Sequence, residues 1–278
     1  LFSVIFGTHL FYYTIGEPGM SHVYSFAMVS AFIFFVVDFF ATSRTKSVLY
    51  AASVFGFVLI IRPVNGLILF AVPWLSLNPS VFREQVKKLL LQSKILWCIL
   101  GAVIFPILIQ SFIYYWQTGQ LWIYSYGNET FDFTKFHFFD FLFSYKKGLF
   151  LYTPICMLSL GGLIALRKNR FFSLGMLTFL VLIVYVLSSW WNWYYGGSFS
   201  SRVMVEYLPF FALLLAFLIQ KAQRWKYKTV MAVLLFGFIL LNQVQTLQYR
   251  YYIIHWSDMD KARYWDAFMN IAPIIQRK

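Results

Sequence analysis

The sequence predicts an all-α protein, a polytopic bundle of transmembrane helices. Hydrophobic residues make up 60% of the 278 residues and charged residues only 12%, a composition far more apolar than that of a soluble domain. Long apolar stretches recur along the chain, and a helix needs about 20 such residues to cross a bilayer. The segments between them alternate between a basic type and an aromatic, acidic type, as expected for loops on opposite membrane faces.

Nine apolar stretches account for the predicted bundle, which we expect to contain about eight or nine spans. The first stretch is incomplete, and the third and fourth are too short to cross a bilayer alone. The polar residues 62–66 (RPVNG) separate those two, so we interpret them as two short helices that meet at a break on the outer side. A single kinked span is the alternative, but it would place consecutive basic loops on opposite faces. In order, the stretches are 1–15, 20–41, 48–61, 66–77, 95–116, 149–166, 171–189, 207–220 and 229–248.

The distribution of charge predicts which loops face the cytoplasm. Cytoplasmic loops collect Lys and Arg, and four loops hold 13 of the 23 cations, whereas Glu84 within them and Asp38 in the preceding span are the only acids on that side. The opposite side has the other 10 cations and 8 acids, so most of the net charge of +13 reflects insertion topology. A nucleic-acid-binding protein would need clustered cations on a soluble face, and we expect no nucleic acid as a partner. The four basic loops are 43–46, 82–94, 167–170 and 221–228.

The aromatic and acidic segments form the predicted outer face. We treat residues 1–278 as a single membrane domain in which 117–148 is an outer-face interfacial segment and 249–278 an outer-face tail. Seven phenylalanines between 131 and 143 suggest an amphipathic element that lies in the interface. The remaining outer segments are 16–22 and 190–202.

Glu17 and His22 lie where a span enters the membrane from the outer side. Pro18 suits the first turn of a helix, and a carboxylate before it is favoured by the helix dipole. These residues are therefore either a helix cap and an interfacial His, or the lining of a polar cavity. Ionisable groups at membrane depth are by default candidates for function.

Five outer residues are candidates for binding a phosphate. Arg62 interrupts an apolar run, its guanidinium matches phosphate oxygens, and Asn65 begins the next short helix, whose free N–H groups also favour an anion. Lys146 and Lys147 stand at the outer mouth of a span, against the positive-inside trend. Arg202 either pairs with Glu206 along a helix or binds phosphate. Snorkelling to headgroups is the alternative for Arg62, and anionic lipid for the two lysines.

Tryptophan is concentrated on the predicted outer side, where seven of the ten lie. An aromatic belt would anchor both interfaces, so this asymmetry favours a second role for some of these rings. Aromatic faces that pack on sugar C–H groups would account for the excess. Trp191, Trp193 and Tyr194 are the candidates for sugar binding.

No other sequence pattern indicates a metal or redox site. The four histidines, His9, His22, His137 and His255, are scattered, and Cys98 and Cys156 lie in separate apolar spans, where buried free thiols are expected. We see no phosphate-binding glycine loop, no nucleophile elbow and no internal repeat. The sequence predicts no certain cofactor and leaves a divalent metal open.

Several of these segments resemble the polytopic GT-C glycosyltransferases, the group that includes protein O-mannosyltransferases and lipid A aminoarabinose transferases. GFVLIIRPVNGLILFAVPWL is similar to the family's paired short helices, with Arg62 at the basic position of the break. WYYGGSFSSRVMVEYLPFFALLLAF resembles a late segment in which Gly, Phe and Arg precede a Pro-containing span. GTHLFYYTIGEPGMSHVYSF and IIHWSDMDKARYWDAF are similar to a bacterial, Bacteroidetes-type subgroup.

The resemblance implies an enzyme of which this chain is the C-terminal portion. In that family the principal catalytic carboxylate lies in the first outer loop, which would place it upstream of Leu1 and leave Glu17 and His22 as secondary candidates. The implied reaction transfers a sugar from a polyprenyl-phosphate donor to a lipid-linked glycan or protein, at the outer face of the bacterial inner membrane. A multi-span lipid or solute transporter and a non-catalytic membrane scaffold are the alternatives.

Overall fold

The computed structural model describes residues 1–123, 127, 129–223 and 227–276, and every regular element within them is helical apart from an isolated antiparallel bridge between Phe131 and Trp190. Short 3-10 helices cover Pro63–Ala71 and Arg202–Tyr207. The α-helices are α1 (Phe2–Gly7), α2 (Leu10–Ile15), α3 (Ser21–Thr42), α4 (Thr45–Ile61), α5 (Val72–Leu75), α6 (Pro79–Leu90), α7 (Ser93–Thr118), α8 (Phe138–Phe143), α9 (Leu149–Tyr152), α10 (Pro154–Ser159), α11 (Gly161–Ala165), α12 (Arg170–Ser188), α13 (Leu208–Gln223), α14 (Lys228–Arg250), α15 (Lys261–Ala267) and α16 (Ala272–Ile275).

Five helices in the described part of the chain are long and apolar enough to cross a membrane, which indicates a multi-pass membrane protein. A sixth is counted if Pro63–Leu75 and Pro79–Leu90, which are bent by 114° relative to each other, form one broken span. The predicted all-α class is confirmed, and the count of eight or nine spans is not. The five are Ser21–Thr42, Ser93–Thr118, Arg170–Ser188, Arg202–Gln223 and Lys228–Arg250.

The polar break predicted at residues 62–66 is present. Helix α4 ends at Ile61, Arg62 is extended (φ −153°, ψ 108°), and a 3-10 helix begins at Pro63. Proline lacks the N–H that would continue the preceding helix and disfavours helical geometry in the residue before it, so the helix ends at that point.

The interfacial segment 117–148 is less regular than expected. Helix α7 continues to Thr118, and the amphipathic helix is confined to Phe138–Phe143, where Phe141 is buried and Phe139 exposed. Residues 124–126 and 128 of this segment lie outside the described residues, as do 224–226 of the basic loop 221–228 and 277–278 of the tail.

The chain forms two compact units. The first comprises Leu1–Val23, Phe131–Leu166 and Val181–Lys278, and the second comprises Tyr24–Thr130 and Arg167–Leu180. Val4, Ile155 and Leu215 form an apolar core in the first unit. In that unit, polar side chains of α14 fasten the tail: the Gln245 amide donates to the Tyr264 hydroxyl, and the Gln248 amide donates to the Ala267 carbonyl.

Close packing of α4 on α7 organises the second unit. A Cβ added to Gly56 would lie 2.5 Å from the Val103 carbonyl oxygen and 3.0 Å from Pro106 Cγ. Glycine is therefore required at this helix crossing because any side chain would push the two backbones apart.

Replacing Gly56 by Ala is expected to destabilise the protein by about 1–3 kcal/mol, the usual penalty for overpacking a tight interface. The measurement is the midpoint of thermal unfolding in detergent. Gly101→Ala in α7 is the matched control, since nothing lies within 4 Å of its added Cβ, and helix propensity alone would stabilise that variant by up to about 1 kcal/mol. Equal midpoints for the two variants would contradict the packing.

Candidate functional site

In the first unit, the stretch from α2 to the start of α3 and the segment before α13 are held together by buried side chains. The Tyr13 hydroxyl donates to the Phe199 carbonyl (3.0 Å) and accepts from the Phe199 amide (2.9 Å). His22 Nδ1 lies 2.6 Å from Glu206 Oε1, and both side chains are at most 5% exposed. Glu17 lies between Tyr13 and His22 in the chain, and Arg202 lies between Phe199 and Glu206. These contacts therefore hold Glu17 and Arg202 in place.

A third segment, which contains Thr153, contacts both of these segments through its hydroxyl group. His9 Nδ1 lies 2.8 Å from Thr153 Oγ1, and Thr153 Oγ1 lies 3.5 Å from Ser200 Oγ. All three side chains are buried. Residues near 150 are therefore held against residues near 200, which brings the preceding lysines to the same place.

Lys146 and Lys147 have different environments. Lys146 Nζ lies 3.5 Å from the centroid of the Tyr194 ring, within cation–π range. Lys147 is buried, donates a hydrogen bond to the Ser198 carbonyl, and lies 5.7 Å from the centroid of the Tyr249 ring. Both lysines thus contact the loop that leads to Arg202.

Burial and neighbouring charges favour the neutral form of Lys147. Loss of hydration, followed by the Arg202 guanidinium and the Lys146 ammonium, lowers the pKa of Lys147 to about 7, while the Glu17 carboxylate opposes this shift. A bound anion would offset the repulsion among the cations.

Glu17 and Arg202 each present a buried polar atom without a hydrogen-bond partner among the described residues. Glu17 Oε1 accepts from the Tyr12 hydroxyl at 2.7 Å, whereas Glu17 Oε2 is buried and unpaired. Arg202 Nε is likewise buried and unpaired. An unsatisfied buried group carries a desolvation cost of about 1–3 kcal/mol, more when it is charged, so pairing with an ordered water or a ligand would stabilise both atoms.

We call Glu17, Lys146, Lys147 and Arg202 the cation–carboxylate site. The open carboxylate oxygen requires a donor such as a hydroxyl, and the open guanidinium nitrogen requires an acceptor such as a phosphate oxygen. A ligand, or a pair of ligands, that carries both groups would satisfy the site. His22 does not present an open side chain in the same way, because its ring is buried against Glu206.

The three sugar-binding candidates lie on one loop of the same unit. Trp191 is 57% exposed. The Trp193 ring stacks on His137 with centroids 5.6 Å apart and meets the Tyr194 ring edge-on at 5.7 Å. Since Tyr194 also contacts Lys146, this aromatic row adjoins the cation–carboxylate site.

Arg62 and Asn65 belong to the second unit, unlike the other three phosphate candidates. Asn65 is fully buried, and its amide donates to the Ser25 hydroxyl at 3.3 Å. Arg62 is half-buried at the break between α4 and the 3-10 helix. The predicted set of five is thus distributed over both units.

Sequence reasoning missed the tyrosines that shape the site. Tyr12 holds Glu17, Tyr13 holds Phe199, and Tyr249 lies beside Lys147. Tyrosine is common at membrane interfaces, so its presence in these segments did not indicate that these particular rings position other residues. Polar residues in the last turns of the span ending at Arg250, including Asn242 and Gln245, were the available signal that this helix end faces other protein segments.

No group of three or more His, Cys, Asp or Glu residues within the described ranges is arranged to hold a metal ion. Comparison of the chain with protein-family models, with curated proteins and with solved structures finds no match. The case for function therefore depends on the residues of the site.

Proposed function

We propose that the protein is a glycosyltransferase that moves a sugar from a polyprenyl-phosphate donor to a hydroxyl of a lipid-linked glycan or a protein. The observation that carries this proposal is that one unit holds an unsatisfied acceptor on Glu17 and an unsatisfied donor on Arg202, and that the charges of both residues act on the buried Lys147. Transfer of a sugar from a phosphate to a hydroxyl presents both kinds of group to the enzyme.

In the proposed reaction, the acceptor oxygen attacks the anomeric carbon of the donor sugar. The bond from that carbon to the phosphate oxygen breaks, and the polyprenyl phosphate leaves with the electron pair. The acceptor proton passes to a carboxylate, for which Glu17 is the candidate in this chain. Positioned general bases accelerate such steps by roughly 10²- to 10⁴-fold.

The cations would stabilise the charge that develops on the leaving phosphate. Arg202 would donate through its unpaired Nε, and Lys147 would contribute its charge beside it, with Lys146 at the edge. Arg62 and Asn65 remain candidates for binding an anionic group within their own unit. The sugar would pack on Trp191, Trp193 or Tyr194.

Charge asymmetry supports placing this chemistry on the outer face of the bacterial inner membrane. The cation–carboxylate site belongs to the segments with near-balanced charge, and the basic loops belong to the other face. A bundle of eight or nine spans would keep these two sets of loops on opposite sides. That number includes the short helices around Arg62 and those of 149–166.

Donor binding is expected to weaken as the pH rises through about 7. The pKa of Lys147 is lowered to about 7, so its ammonium is present below this pH and lost above it. Loss of one charge-assisted hydrogen bond should reduce affinity roughly tenfold between pH 6 and pH 8. The measurement is the Kd of a polyprenyl-phosphate sugar, whose phosphodiester has no second proton to lose near this pH, unlike a monoester with a pKa of about 6.

Lys147→Arg is the matched control for that titration, since a guanidinium stays charged throughout. The variant should bind the donor with nearly constant affinity over the same range. An identical pH profile for the variant and the wild type would show that another group titrates.

A transporter or flippase, or a non-catalytic scaffold, is the alternative to an enzyme. Transporters place their binding sites near the bilayer midplane and commonly contain repeats, whereas this chain lacks a visible repeat and its polar candidates lie near span ends. Proteoliposomes with the full-length protein and a radiolabelled polyprenyl-phosphate sugar separate the three. Transfer to an acceptor supports the enzyme, and movement of the intact donor across the bilayer supports a flippase. The absence of both activities supports a scaffold.

A further inference from the structure

Helix α6 in the second unit is amphipathic and held firmly in place. The Asn78 side chain caps its first turn by accepting from the Ser80 amide at 2.8 Å. The Gln85 amide donates to the Ser43 hydroxyl at 2.6 Å, and the Phe82 ring packs on Phe40. One face of the helix is therefore fixed against the last turn of α3 and the residue that follows it.

The opposite face carries exposed cations. Arg83, Lys87 and Lys88 are all exposed, and Glu84 forms an ion pair with Lys88 at 2.6 Å. Lys87 has no ion-pair partner among the residues that the structure describes, and neither has Lys94 in the first turn of α7. The junction between the two helices thus presents unneutralised positive charge.

Large apolar side chains are exposed beside these cations. Leu90 is 65% exposed, Leu91 76% and Trp97 72%. Apolar residues and lysines at the same end of a helix are the combination that places a helix in a membrane interface, with the apolar groups against acyl chains and the cations against headgroups.

We propose that α6 and the first turn of α7 form a binding site for an anionic phospholipid of the cytoplasmic leaflet. Lys87 and Lys94 contact the headgroup phosphate, and Leu90, Leu91 and Trp97 contact the acyl chains. The charge of the patch is complementary to anionic lipid, and each cation near such a surface contributes about a fivefold increase in affinity. This site is independent of the glycosyltransferase proposal.

The test compares phosphatidylglycerol with phosphatidylcholine. The full-length protein, purified in neutral detergent, is titrated with each lipid, and retained lipid is counted by native mass spectrometry together with the midpoint of thermal unfolding. We expect phosphatidylglycerol to be retained and to raise the midpoint, and K87Q/K94Q to weaken its retention roughly 30-fold. K87R/K94R should retain it.

Arg167→Gln with Lys168→Gln is the control, because it removes the same charge from another exposed basic loop of the same unit. This variant should behave like the wild type. Three results would each overturn the proposal. They are equal retention of the two lipids, an equal loss of phosphatidylglycerol retention in the control variant, and displacement of phosphatidylglycerol by millimolar inorganic phosphate. The last result would identify a general anion site instead of a lipid site.

Discussion

Replacing Arg202 by Ala is expected to weaken binding of a polyprenyl phosphate by roughly 30-fold or more. Truncating one partner of a buried, charged hydrogen bond usually costs about 2–5 kcal/mol, and the Arg202 Nε is buried with no partner inside the described protein. The measurement is the Kd of the full-length variant in detergent micelles, with far-ultraviolet circular dichroism as a check on folding.

Arg250→Ala provides the matched control for that measurement. Arg250 is exposed at the end of α14 in the same unit, so its loss should change affinity by less than about threefold. Arg202→Lys should recover only part of the affinity, because lysine keeps the charge but lacks the planar fork. Wild-type affinity in Arg202→Ala would remove this residue from the phosphate site.

Replacing Glu17 by Gln is expected to reduce sugar transfer by roughly 10²- to 10⁴-fold, the usual contribution of a general base. The amide is nearly isosteric and can still accept from the Tyr12 hydroxyl, but it cannot take a proton from the acceptor. Donor affinity should change by less than about threefold. The measurement is single-turnover transfer with the full-length variant, alongside the donor Kd.

Tyr12→Phe separates the position of Glu17 from its basicity. This variant loses the 2.7 Å hydrogen bond to Glu17 Oε1 while keeping the carboxylate, and it should lower the rate by far less than Glu17→Gln. Unchanged transfer in Glu17→Gln would contradict the role of Glu17 and assign the base to another residue.

Local patterns in the sequence predicted the helical class and the break at Arg62. The length of the apolar stretches determines the helical class, and the Pro63 ring determines the break. Both are local properties of the sequence, so no tertiary information is needed to predict them. The number of full spans could not be predicted in the same way. The segment 66–77 adopts a 3-10 helix up to Ala71 and then a single α-turn, and this choice depends on the helices packed around it.

The cation–carboxylate site was predicted only as separate residues. Lys146, Lys147 and Arg202 were each candidates for an anion, but their convergence depends on contacts between segments about 50 residues apart, such as Lys147 with Ser198. The partner of Glu206 also depended on the fold. A 3-10 helix at 202–207 aligns residues three apart rather than four, and Glu206 lies against His22.

The most direct test of the site is a cryo-electron microscopy structure of the full-length protein with a bound polyprenyl phosphate. We expect the phosphate within hydrogen-bond distance of Arg202 Nε and Lys147 Nζ, with the space beside Glu17 Oε2 open to an acceptor hydroxyl. A phosphate bound elsewhere, with Arg202 and Glu17 still unoccupied, would contradict the proposed site.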